Sequence, residues 1–416
     1  MISQSNLAIS KRCKASSSFQ CASSAPPWAG THFSKASTKP PSNLIFSSLW
    51  RTTLTIALIL GVASCGAQAS NEVETVGTLE VVIDQSTETT ALALSLVEVA
   101  KLDQPVDAAS RFGDTAVYFV ARGGTIHKFV DTGLESEPVL DISDLTEGQG
   151  ERGLLGLAFS TDGSIAFINY TDLDGDTTVA SLSVGTGGEF ARETLKTILV
   201  IDQPFANHNA GDIVVEPSGM LLLPMGDGGS ADDPLRVSLD DSSPLGKILR
   251  VDPSDGSYTI VARGLRNPWR VDLFDDRLWI ADVGQSEFEE VSVLNDLSKI
   301  ASTAQIVDFG WSAYEANKVF NKDQTSSGHT PPLVAYKHGD NGCSISGGAV
   351  ATAGSLRNRF VFADYCSGRL WSIATDESAP QMTLHFDDLD SPSAVVRANE
   401  NIYVLSLSGT IWQIRN

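Results

Sequence analysis

From Ala91 to the C-terminus the chain repeats one short pattern. A turn containing Gly, Asn or Asp leads into four to six apolar residues, then a small or acidic residue, and often glycine and a second apolar run. The pattern recurs at Gly113 to Val130, Thr161 to Asp172, Pro217 to Ser230, Phe274 to Gln285, Arg357 to Ile373 and Asn399 to Ile414. Apolar runs this short, bounded by turn residues, predict strands rather than helices. Three copies end alike: Gly123-Gly-Thr-Ile-His-Lys-Phe129, Ser367-Gly-Arg-Leu-Trp-Ser-Ile373 and Ser408-Gly-Thr-Ile-Trp-Gln-Ile414. Six such units, spaced mostly 40 to 60 residues apart, fit one sheet per unit set around an axis. The predicted fold is all-β, a six-bladed β-propeller with four-stranded antiparallel blades. Ala91 to Ala100 and Thr410 to Ile414 are both strand-like, so both chain ends are expected to share the closing blade. A tandem of β-sandwiches is the competing fold, and it gives no reason for six similar units.

The repeats occupy 91–416, and what precedes them reads differently. Residues 1–65 read as a leader: Arg51 precedes the apolar run Leu54 to Val62, and Val62-Ala-Ser-Cys65 has the small-residue pattern of a bacterial lipoprotein signal. On that reading Cys65 is the lipidated first residue of an exported protein of the cell envelope, whose membrane contact is the lipid alone. Cleavage near Ala67 or Ala69, as in an ordinary periplasmic or extracellular protein, and an uncleaved anchor are the alternatives. Residues 66–90 read as a flexible acidic tether.

Charge and cysteines narrow the partners. The leader holds six Lys and Arg and no acidic residue, leaving 23 basic against 51 acidic residues beyond it. Such an excess argues against nucleic acid and anionic membrane surfaces. Among five cysteines, Cys343 and Cys366 are the pair left for the folded part. In an exported chain this pair reads as a disulfide; a metal site with nearby His338 is the alternative, but no CxxC or HxxxH spacing accompanies it.

In a propeller, ligands bind where loops converge at one end of the channel. The loop residues that carry chemistry are Glu151-Arg152-Gly153, Asn207-His208-Asn209, Gly264-Leu-Arg266-Asn267-Pro-Trp269, and Asp282-Val-Gly284-Gln285 followed by Glu287, Glu289 and Glu290. The last offers carbonyl and carboxylate oxygens to a hard cation such as calcium. Bland readings stand beside these: His208 caps a turn, Arg266 pairs with a structural carboxylate, and the Gly284 loop is only a turn. Lys247 faces the channel or is a solvated strand residue.

Taken in order, Arg152-Gly-Leu-Leu-Gly-Leu-Ala-Phe159, Asn207-His-Asn209, Gly226-Asp-Gly-Gly-Ser230, Leu245-Gly-Lys-Ile-Leu-Arg250, Gly264-Leu-Arg-Asn-Pro-Trp269, Asp282-Val-Gly-Gln285, Phe309-Gly-Trp311 and Asp364-Tyr-Cys-Ser-Gly-Arg369 resemble the glucose/sorbosone dehydrogenase domain. That domain is shared by soluble pyrroloquinoline-quinone (PQQ) dependent aldose dehydrogenases and the Hedgehog-interacting protein. The resemblance covers about Val97 to the C-terminus. It implies His208 as the base that takes the proton from a sugar C1 hydroxyl, and Arg266 as the cation that polarises the quinone. Asn267 and Glu151 fall at cofactor-contacting positions. Carbonyls of Gly284 and Gln285, with Glu289 close by, are the expected calcium oxygens.

The chain also departs from the enzymes. Their cofactor-gripping lysine aligns with Cys366, their C-terminal arginine pair has no counterpart in Ser391 to Tyr403 beyond Arg397, and Asn207 stands where they carry Asp. Two functions follow as expectations. One is a PQQ- and calcium-dependent aldose dehydrogenase passing electrons to an external acceptor; the other is a non-catalytic propeller that binds a partner and has lost the quinone.

Overall fold

The computed structural model describes residues 94–415. The leader, Cys65 and the tether lie outside them. Six blade sheets follow one another along the described residues, mostly antiparallel and each running from an innermost strand outwards, with one further two-stranded hairpin at Tyr314–Glu315 and Lys318–Val319. The first blade begins at Pro105–Ser110, the second at Leu154–Phe159, the third at Val214–Val215, the fourth at Pro268–Phe274, the fifth at Ile345–Val350 and the sixth at Pro392–Ala398. The sixth blade closes the ring: Ser95–Lys101 pairs with Thr410–Arg415, with Leu96 opposite Ile414. One refinement of the four-stranded expectation is that the first and third blades carry a fifth strand. In the third it is Val307–Asp308, added parallel to Tyr258–Arg263.

The core explains the apolar runs. Inner and middle strands such as Val117–Ala121, Leu221–Met225 and Ile345–Val350 are buried along their whole length, because each sheet is covered on both faces by its neighbours. Six apolar clusters result, one at each blade interface. Trp279 of the fourth blade stacking on Phe360 of the fifth, 5.0 Å between centroids, typifies them.

Along the axis, blades are joined by carboxylates. Asp107 accepts from the Leu157 amide at 2.9 Å, Asp212 from Val271 at 2.8 Å and Asp272 from Val350 at 2.7 Å, each reaching another blade's inner strand. Arg270, 1% exposed, reaches from the fourth blade to the carbonyls of Val106 and Leu155 in the first two. Its guanidinium lies 3.6 Å from Asp107 and 3.5 Å from Asp212. Burial dominates here and pushes the Asp107 carboxyl up to about 7, although Arg270 works against it.

Strand direction alternates within a blade. The link entering each inner strand and the turn between the second and third strands therefore emerge at the same end of the ring. That end is called the mouth below.

Candidate functional site

His208 lies on the link entering the third blade, and its backbone is left-handed at φ 59°, a conformation rare for a side chain of this size. The glycines opposite explain how the link fits. A Cβ on Gly226 would stand 1.9 Å from the His208 carbonyl, and one on Gly229 would stand 2.4 Å from that of Asn207. Gly226-Asp-Gly-Gly229 is thus a cradle for the histidine link. Asp227, held within it, lies in the Gly226 to Ser230 motif, to which the sequence attached no role.

The imidazole is buried, and its Nδ1 lies 2.5 Å from Asp227 Oδ1. That carboxylate also accepts from the Gly229 amide at 3.0 Å and the Trp311 indole at 2.9 Å. Asp227 accepts from its other partners, so Nδ1 carries a ring hydrogen, and in the neutral imidazole Nε2 then presents its lone pair. Among the described residues Nε2 has no protein partner. The turn-capping reading of His208 therefore fails for the ring, although its backbone amide is held by Glu151 Oε2 at 2.6 Å.

Glu151 ties three blades together. Its Oε2 also lies 3.4 Å from the Asn209 amide and accepts from Asn267 Nδ2 at 3.2 Å, while Asn267 Oδ1 accepts from the Ala210 amide at 3.0 Å. Arg266 and Asn267 sit at the entry to the fourth blade, where Asp282 accepts both their amides at 3.0 and 2.7 Å. Burial pushes the Asp282 carboxyl up to about 7. The Arg266 side chain has no carboxylate partner among the described residues. It donates to the Val283 carbonyl at 2.8 Å and Gln285 Oε1 at 3.1 Å, and lies 5.9 Å from the Trp311 ring centroid. The structural ion-pair reading of Arg266 is thereby set aside.

The Gly284–Gln285 turn owes its shape to Glu315, a residue the sequence did not single out. One oxygen, Oε1, accepts from the four successive amides of Gln285, Ser286, Glu287 and Phe288 at 3.0, 2.7, 2.8 and 3.2 Å. In a trans peptide the C=O points opposite to the following N–H, so the carbonyls of Gly284 and Gln285 are turned away from Glu315. Among the described residues neither accepts a hydrogen bond. Glu289 behaves otherwise: its oxygens are engaged by His338 Nε2 at 2.6 Å, the Ile345 amide at 2.8 Å and the Gly284 amide at 3.3 Å. It supports the turn from behind rather than offering a free ligand oxygen. No cluster of three or more His, Cys, Asp or Glu with metal-ligand geometry occurs among the described residues.

Across the mouth, Cys343 and Cys366 form a disulfide with Cα atoms 5.7 Å apart. Asp364 organises it, accepting from Tyr336, Cys343 and Ser344 through one oxygen and from Cys366 and Ser367 through the other. Lys247 is neither channel-facing nor solvated. It is fully buried, donates to the carbonyls of Val237, Ser238 and Leu245, and burial pushes it down to about 8.

Fold and site together define a six-bladed propeller carrying a carboxylate-held histidine, a guanidinium bound only to neutral groups and a carbonyl-lined turn at its mouth. The chain belongs to the glucose/sorbosone dehydrogenase family, whose model matches residues 102–383. It is 28% identical over 226 residues to the HIPL1 protein of Arabidopsis thaliana, covering 43% of this chain and 31% of that one. With the HIPL2 protein of the same plant it shares 26% over 262 residues, 51% of this chain and 36% of the relative. The chain thus spans about a third of the length of these two relatives. Among solved structures, the PQQ-bound aldose sugar dehydrogenase of Streptomyces coelicolor superposes with a TM-score of 0.63 at 20% identity, over 78% of this chain and 98% of that one. The apo soluble aldose sugar dehydrogenase of Escherichia coli gives 0.63 at 15%, over 77% and 99%. These similarities establish the shared fold.

Proposed function

We propose that the chain is an exported dehydrogenase that oxidises the anomeric hydroxyl of an aldose with PQQ and calcium, handing the electrons to an external acceptor. The observation that carries this reading is His208: an imidazole fixed by Asp227, its Nε2 lone pair without a protein partner, on the same network as Arg266. The oxygen chemistry of the Gly284–Gln285 turn fits calcium, a hard cation that takes carbonyl ligands. Arg266 fits a quinone carbonyl, since its present partners are a carbonyl and an amide oxygen. PQQ, when bound, supplies the two-electron acceptor for the hydride leaving C1, and calcium a Lewis acid beside it.

The protein's own part is proton handling and placement. His208 Nε2 takes the C1 hydroxyl proton, and the resulting imidazolium is balanced by Asp227, 2.5 Å from Nδ1. Asp227 is buried and hydrogen-bonded on both oxygens, so the ring cannot rotate away. Glu151 and Asn267 keep the histidine link in register with the fourth blade. Export and the lipid on Cys65 belong to the same proposal. Mass spectrometry of the native membrane fraction should find the mature chain beginning at an acylated Cys65, and a free N-terminus beyond Ala67 would overturn that part.

A second reading has one observation in its favour. Cys343 and Cys366 are bonded; on the family resemblance Cys366 stands where the enzymes carry a cofactor-gripping lysine, and a bonded cysteine there suits a propeller that binds a partner without the quinone. Reconstitution with calcium and PQQ, followed by a dye-linked assay across aldoses, separates the two. Turnover that requires both additions supports the dehydrogenase; no turnover with any aldose leaves the binding module.

A further inference from the structure

Arg122 follows the second strand of the first blade, in a turn at the mouth. It is half-buried, and its guanidinium has only neutral hydrogen-bond partners among the described residues. Nε donates to Gln104 Oε1 at 3.0 Å, Nη2 to the same oxygen and Nη1 to the Gly150 carbonyl. Three of the five guanidinium N–H groups are used this way. The two that remain are enough for a two-pronged contact with a carboxylate.

Its surroundings place it at the ligand side of the mouth. Gly150 precedes Glu151, whose carboxylate holds the His208 amide at 2.6 Å and Asn267 at 3.2 Å, so the guanidinium stands one residue behind the bracket of the histidine link. Tyr365, beside Cys366 on the fifth blade, is among its electrostatic neighbours, as is Asp103. Its contacts with Gly150 and Gly153 place the side chain against the link that carries Glu151. Gly153 fixes it there: a Cβ on that glycine would meet Arg122 Cγ at 2.5 Å and its carbonyl at 2.3 Å. Arg152, by contrast, is paired with Glu147 at 3.2 Å. In a chain of net charge −22, a fixed, half-buried guanidinium with donors to spare and, among the described residues, no ion-paired carboxylate, Asp103 acting on it only through its charge, is suited to an anion arriving from outside.

We propose that Arg122 is an anion-recognition residue of the mouth, binding a carboxylate of the ligand seated beside His208. This rests on the mouth being the binding site. The carboxylate belongs either to the tricarboxylate quinone or to an acidic sugar, and the chemistry of the contact is the same. For the quinone, Arg122 supplies a cation to a mouth in which, on the family resemblance, Cys366 stands at the lysine position.

Calorimetric titration of the full chain with calcium present tests this, using PQQ, glucuronate and glucose as separate probes on wild type, Arg122→Gln and Arg122→Lys. The expected result is that the Gln variant binds one anionic probe about tenfold or more weakly than wild type. Glucose binding is unchanged, and Lys recovers much of the loss. Loss confined to PQQ assigns the cofactor carboxylate; loss confined to glucuronate assigns the substrate. PQQ and glucuronate affinities both unchanged in Arg122→Gln overturn the inference while leaving the dehydrogenase reading intact. Wild type that binds glucuronate in an Arg122-dependent way but not PQQ keeps the inference and removes the quinone. Wild type that binds neither anion overturns it. Thermal unfolding of each variant within a few degrees of wild type shows that the fold is not the cause.

Discussion

Two carboxylates at the mouth each hold a histidine, and they hold opposite nitrogens. Asp227 takes His208 by Nδ1 at 2.5 Å, and Glu289 takes His338 by Nε2 at 2.6 Å. What surrounds each pair differs more than the bond. Asp227 also anchors Trp311, over which Arg266 lies, so that pair is joined to a cation whose own donors reach Val283 and Gln285, in the turn with unengaged carbonyls. Glu289 instead holds the Ile345 amide of the next blade, and its histidine, whose side chain is 20% exposed, stands on the side of the disulfide. A carboxylate beside a histidine therefore does not identify a base. The nitrogen left over, and what that nitrogen can reach, does.

His208→Ala should break the comparison most sharply. Loss of a general base lowers turnover by about 100-fold or more, measured in the dye-linked assay, with the circular dichroism spectrum unchanged. His338→Ala should cost far less, since His338 reaches the proposed site only through Glu289, which also keeps the Ile345 and Gly284 amides without it. Equal losses in the two variants would mean that the pairs are not distinguished in the way described.

Removing the disulfide by Cys343→Ser with Cys366→Ser tests the other half of the mouth. The bridge closes a loop with a sequence separation of 23, for which the chain-entropy model gives about 3 kcal/mol. Urea unfolding should show that loss in the midpoint with little change in slope. An unchanged midpoint would mean that Asp364 and its hydrogen bonds hold the fifth-blade turn without the bridge. Asp227→Asn should follow with a smaller effect, a turnover loss of about 10- to 100-fold as the ring loses its orienting carboxylate. Its KM should stay near that of wild type.

The repeating turn-strand pattern made the fold legible, because every blade meets the same demand: a sheet buried on both faces and turned by Gly, Asn or Asp. His208, Arg266 and Asn267 could be picked out as residues that carry chemistry in the links between repeats, and one hydrogen-bond network through Glu151 and Asp282 joins those links. The groups that hold them were not. Asp227 and Trp311 lie 84 residues apart, and Glu315 lies 30 from the Gln285 amide it grips; only the packed ring brings them together. Lys247 misled for the same reason, since the three carbonyls that bury it come from the turn after Asp233 and from Leu245, and no local pattern announces them. Glu289 looked like a ligand because it follows the Gly284 turn, but alternation along Phe288–Leu294 sends it inward, where it is fully buried.

The smallest effect expected concerns His338 and pH. The hydrogen bond that the His338 ring donates to Glu289 raises the His338 pKa above its ordinary value of 6.5, with burial working against it. Glu289 is itself raised, because its burial outweighs the help from His338. Geometry favours the charged pair over two neutral groups, since Glu289 accepts backbone amides as well as the ring and His338 is partly open to water. A histidine whose folded pKa is raised binds its proton more tightly in the folded state, so the folded state gains stability from that proton. The gain is fully present below the unfolded value, about 6.5, and is lost as pH rises through the higher folded value. Wild type should therefore lose melting temperature relative to His338→Gln as the buffer is raised from about pH 5.5, below the unfolded value, to the alkaline side of it. Differential scanning calorimetry of the pair measures this directly. Parallel pH profiles for the two proteins would show that His338 carries no extra proton in the folded chain, and the contrast with His208 would then rest on geometry alone.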